Sequence, residues 1–167
     1  MRLLVLMAIL GVIAGVYSLG GNKLDETMVR DFYERSGQAF AEQDDETLCA
    51  MLDEDFEQVT LYRADQRQSR DVVGKQDYCR EMAQSLDNIR RLREVAGRHA
   101  PVDYRHTLTR ITIAPDKHTA VVETRATLQL PGVNMTARSR DTLVRDRWRI
   151  RVKRSEGTTF IGPAYPF

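Results

Sequence analysis

Cys49 and Cys79 are the two cysteines of the chain, and an even pair invites a disulfide where the compartment is oxidising. The loop closed would span about 30 residues and restrict the unfolded chain by roughly 3–4 kcal/mol. The other reading is a pair of buried thiols, cysteine being among the most buried residue types. Neither cysteine has a histidine close in sequence, so a catalytic thiol has no support. His99, His106 and His118 show no ligand spacing such as HxxxH, and there is no CxxC, so no metal site is expected. The chain carries no G-x-S-x-G, no P-loop and no dinucleotide fingerprint. A nucleophilic hydrolase is therefore unsupported and no cofactor is expected. Asn134-Met135-Thr136 fits a glycosylation sequon, which matters only in a cell that glycosylates such sites.

The disulfide needs export, and the N-terminus supplies a signal for it. Met1-Arg2 precedes an unbroken apolar run from Leu3 to Val16, followed by the small and turn-forming Ser18-Leu19-Gly20-Gly21. This is the pattern of a secretory leader, with Val16 and Ser18 at the cleavage-site positions. The same stretch, residues 3–19, reads alternatively as a short anchor in the inner membrane. Cleavage is the favoured reading, which makes the protein periplasmic or secreted.

Three segments follow from this: a leader over residues 1–20, one domain over 21–157, and an apolar tail over 158–167. The tail holds Phe160, Ile161, Tyr165 and Phe167, high apolar content for a free end, and is expected to lie over the domain or against a partner. The 25 basic and 24 acidic residues nearly cancel, which argues against a general nucleic-acid binder. Their distribution is uneven. Asp25 to Glu57 holds 12 acidic and 2 basic residues, whereas Arg138 to Arg154 holds 8 basic and 2 acidic. The plain reading is two solvated faces in weak mutual attraction. The sharper one is steering of a charged partner or head-to-tail contact between copies.

Periodicity places the elements. Val29, Phe32, Tyr33, Ser36 and Phe40 form one stripe of a first helix that begins at Asp25-Glu26. Asp44-Asp45-Glu46 caps a short second helix with Leu48, Met51 and Leu52 inward. A strand is expected over Phe56 to Arg63, then a polar loop from Ala64 to Arg70. After Gly74 a third helix carries Tyr78, Met82, Leu86 and Ile89 on one face. Beyond Pro101 four strands are expected: Tyr104 to Ile113, Thr119 to Leu130, Asn134 to Arg145, and Trp148 to Glu156. A two-residue turn at Asp146-Arg147 would pair Arg145 with Trp148 and Asp141 with Val152, and turn Leu143, Trp148, Ile150 and Val152 to the core.

This order resembles the NTF2-like (SnoaL-like) cone fold, an α+β architecture of three N-terminal helices on a strongly curved antiparallel sheet. The marks are Phe32-Tyr33 leading to Leu48 and Leu52-Asp53-Glu54-Asp55-Phe56, Val73-Gly74-Lys75 before the third helix, and Trp148-Arg149-Ile150 opening the last strand. The resemblance covers roughly residues 25 to 156 and implies a pocket between helix and sheet. The family holds isomerases, dehydratases, hydrolases, passive binders and secretion-complex subunits, so fold alone does not select a function.

The resemblance directs attention to particular side chains. Enzymes of this type use a carboxylate base beside a neutral tyrosine or acid that steadies an enolate. Here Tyr33 and Asp141 are the catalytic candidates, with Tyr62 and His106 behind them. A ligand would be lined by Tyr33, Phe40, Tyr62 and Trp148. The bland alternatives are that the tyrosines fill core, that Asp141 pairs with Arg138, Arg140 or Arg154, and that His106 is exposed. The leading expectation is an exported, non-catalytic binding module for a small apolar ligand in the cone or a protein partner on the sheet face. The first alternative is an isomerase- or dehydratase-like enzyme, which needs Tyr33 and Asp141 in one cavity. The second is a periplasmic subunit of a secretion complex. Pairing through the sheet into a homodimer is a further implication.

Overall fold

The computed structural model describes residues 15, 21, 23–64, 67–96, 103–130 and 132–163. The segment read as a leader, residue 15 apart, and the last four residues lie outside these. Among the described residues no helix is long and apolar enough to cross a membrane.

Helix α1, Glu26–Glu42, starts where the Asp25 carboxylate accepts from the Met28 N–H at 2.8 Å, and it ends at Gln43 in the left-handed region, φ 60°. Its buried stripe is Val29, Phe32, Tyr33 and Ala39, the spacing that a core-facing helix requires. Asp44 caps α2, Asp45–Ala50, by accepting from the Thr47 N–H and hydroxyl at 2.9 and 2.6 Å. Helix α3, Lys75–Ala96, follows the first hairpin. The expected bridge forms between Cys49 of α2 and Cys79 of α3, whose Cα atoms lie 5.5 Å apart.

Six strands make one open sheet in the order β2-β1-β6-β5-β4-β3: β1 Leu52–Ala64, β2 Arg67–Gly74, β3 Asp103–Ile113, β4 Thr119–Leu130, β5 Val133–Asp146 and β6 Arg149–Pro163. It is mixed rather than antiparallel throughout, because β1 and β6 run parallel. Two strand expectations change. The polar stretch read as a loop belongs largely to β2, an edge strand with one neighbour and little buried face, so it lacks the alternation that betrays a strand. The segment read as a separate tail continues β6: Thr158 to Ile161 pair with β1 on one side and β5 on the other.

The β5–β6 register also differs. The turn residues are Arg147 and Trp148, both at positive φ (48° and 72°), and Asp146 pairs with Arg149. Two positive φ values match the twist of a tight hairpin, here without the usual Asn-Gly. Arg145 thus faces Ile150 and Leu143 faces Val152. Between Thr142 and Leu143 the pairing slips by one further residue on the β6 side, so Asp141 stands opposite Ser155 rather than Arg154, and the expected partner Val152 is displaced by the turn and the bulge together. That bulge decides the chemistry of the interior: continued alternation from Val152 would have turned Arg154 inward, and the extra residue presents Ser155 instead.

The main core lies where α1 meets β4 and β5, with Leu24, Val29, Phe32, Tyr33, Ala120, Val122 and Leu143 buried together. A smaller one, Ala39, Leu48 and Leu86, joins the three helices. Between these cores the helices stand off the sheet. Gly157 belongs to that close-packed sheet region: a Cβ there would lie 2.9 Å from the Arg138 carbonyl oxygen.

Candidate functional site

The gap between helices and sheet is a cavity of about 300 Å³. At its floor the Tyr33 hydroxyl donates to Asp141 Oδ2 at 2.6 Å, and the Ser155 hydroxyl donates to Oδ1 at 2.7 Å. Tyr33 and Asp141 are each 8% exposed. Residues 108 apart in sequence are brought together because α1 turns its apolar stripe, and β5 its inward face, to the same space. Burial first, and then the Asp141 charge, raise the Tyr33 pKa, so this phenol stays protonated and acts as a donor.

Aromatic rings line the wall from this floor outward. The His106 ring lies nearly parallel to Tyr33, 5.5 Å between centroids; Tyr104 follows at 6.5 Å from His106, and Phe40 at 4.3 Å from Tyr104. Opposite, Tyr78 of α3 packs on Phe56 of β1 at 5.1 Å. Burial, reinforced by Asp141, pushes the Tyr78 phenol up to about 12 and raises that of Tyr104. His106 is shifted down by burial, an effect that Asp141 opposes, so its imidazole favours the neutral form. The sheet contributes hydroxyls, including Thr60 and the bonded pair Thr124 and Ser139, 2.7 Å apart.

The structure brings Tyr33, Phe40, His106 and Asp141 to this cavity and leaves two sequence candidates out of its lining. Tyr62 sits farther along β1, its phenol raised by burial and by Asp71 and Glu81. Trp148 is displaced by the hairpin register. It occupies the turn, half exposed, over the Arg145 guanidinium at 5.5 Å, and borders a separate groove. Three contributors were missed as site residues. Tyr104 alternates with His106 and so shares its strand face, a signal present in the sequence. Tyr78 was legible only as an inward helix residue, and Ser155 is turned inward by a bulge that no local pattern announces. Among the described residues no cluster of three or more metal-ligating side chains occurs.

No protein-family model and no curated protein matches this chain. Solved structures do. An NTF2-like protein of unknown function from Pseudomonas putida superposes with a TM-score of 0.53 at 15% identity, over 80% of this chain and 84% of its own. The fold is the NTF2-like cone. A conserved protein from Planctomyces limnophilus gives a TM-score of 0.54 at 14% identity over 84% and 98%. A candidate scytalone dehydratase from Novosphingobium aromaticivorans gives 0.55 at 16% identity over 83% and 87%. Identities this low extend the likeness to the cone and no further.

Proposed function

We propose that this protein is an exported ligand-binding module that holds a small, largely aromatic or apolar molecule in the cone, oriented by Asp141. The observation that carries this reading is the buried Tyr33–Asp141–Ser155 network at the floor of an open, ring-lined cavity. Ligand pockets generally combine such an apolar wall with a few convergent polar groups. The disulfide is consistent with the exported location. The cavity is favoured over the outer sheet face as the binding surface because that face is charged: Arg140 is flanked across the ladder by Glu123 and Glu156. Native mass spectrometry of protein from the exported fraction of its own cells tests the reading. An added mass that is lost on denaturation is expected. A bare-chain mass, together with no ligand-induced rise in unfolding midpoint across aromatic compounds of this size, overturns it.

A second reading keeps the cone as an isomerase- or dehydratase-like site. It is favoured by one observation, that Tyr33 and Asp141 open into the same cavity. The candidate scytalone dehydratase among the similar folds supports it in kind. Asp141 would accept a substrate proton while the protonated Tyr33 hydroxyl, released from Asp141, steadies the developing oxyanion. Exchange of α-protons of a cyclic ketone in deuterated water, abolished by Asp141→Asn, is the expected sign. Exchange at the uncatalysed rate rules this reading out and leaves the binding module standing.

A further inference from the structure

Asp141 is an acid set among neutral groups. It is nine-tenths buried, and among the described residues no lysine or arginine pairs with it. The arginines that could have done so are turned elsewhere. Arg154 lies outside the cavity and pairs with Glu57 and Glu156 at 2.9 and 2.7 Å. Arg138 and Arg140 alternate with the inward Ser139 and Asp141 and both are exposed, although Arg138 also borders the cavity without pairing with Asp141. His106, whose imidazole feels the Asp141 charge, is shifted down by burial and favours its neutral form.

We infer that the ligand of the cone is an organic cation, an aromatic-bodied amine whose ammonium pairs with Asp141; this rests on the reading that the cavity binds a ligand. A buried carboxylate without a counter-charge is costly, and a cationic ligand offsets part of that cost. Tyr33 and Ser155 occupy two acceptor sites of a group that offers about four, so the carboxylate retains capacity. A neutral donor could use the same sites, but charge-assisted contacts are roughly twice as strong. The walls agree with the choice. Tyr78, Tyr104, Phe40 and Phe56 suit a weakly hydrated organic ammonium, whose charge aromatic surroundings tolerate better than aliphatic ones. The carboxylate's influence also reaches across the space, since it acts on Tyr78, Tyr104 and His106 alike. An anionic ligand would meet the same field as repulsion.

The test compares benzyltrimethylammonium with neopentylbenzene, its uncharged isostere, by calorimetric titration of the purified protein in one buffer. The cation is expected to bind at least about tenfold more tightly, and Asp141→Asn is expected to remove the difference. Equal affinities, or a preference for the neutral probe, overturn the charge inference while leaving the binding reading intact. Binding of neither probe counts against both. A cation preference that survives in Asp141→Asn overturns the assignment to this carboxylate. Should that variant fail to fold, Asp141→Glu provides the second arm: it keeps a carboxylate at this position, so the cation preference is expected to persist, and a folded Asp141→Glu protein that binds both probes equally refutes the pairing.

Discussion

At the scale of residues, the cone's interior is governed by one carboxylate and the groups that answer to it. Tyr33 and Ser155 are both donors to Asp141, so removing either leaves a buried charge with less solvation. Tyr33→Phe is expected to lower unfolding free energy by about 1–3 kcal/mol, measured by urea denaturation. Loss of only a few tenths would mean that water replaces the phenol at no cost. His106 gives a pH signature. Burial holds its pKa below the ordinary 6.5 of the unfolded chain. Above 6.5 the ring is neutral in both states; below it the unfolded chain takes up the proton first, and stability falls until the folded pKa is reached. The wild-type urea midpoint should therefore decline as pH drops from about 6.5 toward 5, and His106→Gln should flatten that decline. A parallel decline in both proteins would assign it to carboxylates instead. Tyr33 and Asp141 were legible as candidates because a cone brings an α1 stripe and an inward β5 position to one space. Trp148 was misplaced because its position depended on where a two-residue turn falls: moving the turn by one residue shifts the pairing by two, which leaves Ile150 and Val152 on the core face but takes Trp148 out of the strand and into the turn.

At the scale of elements, legibility followed burial. Helix α1 announced itself through an apolar stripe, and its start through Asp25; both are strong local signals. Strand β2 gave none, being an edge with mostly exposed side chains, and the last part of β6 read as a tail because its pairing with β1 is parallel and distant in sequence. The Cys49–Cys79 bridge was readable from export logic, and its structural meaning lies in what it joins. It ties α2 to α3, and these helices bring Leu48, Tyr78 and Met82 to the cavity. Its loss should therefore loosen the helical wall while the sheet ladder persists. The double variant Cys49→Ala/Cys79→Ala is expected to lose about 3–4 kcal/mol of unfolding free energy. Ligand affinity should fall further than stability alone dictates under conditions where the variant remains folded. Unchanged affinity in a folded double variant would show that the wall is held by Leu48 and Leu86 packing without the bridge.

At the scale of the whole molecule, the uneven charge closes partly on itself. Arg154 of the basic segment meets Glu57 of the acidic one at 2.9 Å, and Arg151 approaches Asp53 at 4.0 Å, along the seam where β6 runs beside β1. The first pair is exposed and the second, half-buried, is at the limit of an ion pair, so these contacts contribute little beside the two apolar cores and the disulfide. One of those cores takes in Leu24, which is 2% exposed within the cluster that holds Val29 and Leu143. The segment around it is also stitched by its backbone. The Gly21 carbonyl accepts from the Trp148 N–H at 2.7 Å, the Lys23 carbonyl accepts from the Arg145 guanidinium, and the Leu24 N–H donates to the Lys117 carbonyl at 2.5 Å. Residues 21, 23 and 24 therefore take part in the fold, and they lie beyond Ser18, the position the sequence offers for cleavage. Cleavage there would spare every one of these contacts. A chain beginning at Leu19 is expected to keep the urea midpoint of a form retaining more of the leader. A chain beginning at Asp25 should lose about 2–5 kcal/mol, because it deletes a buried leucine and the backbone partners of both hairpin turns. Equal stability of the two chains would mean that residues 21–24 are carried by the fold rather than part of it, and would separate the position of cleavage from the start of the domain.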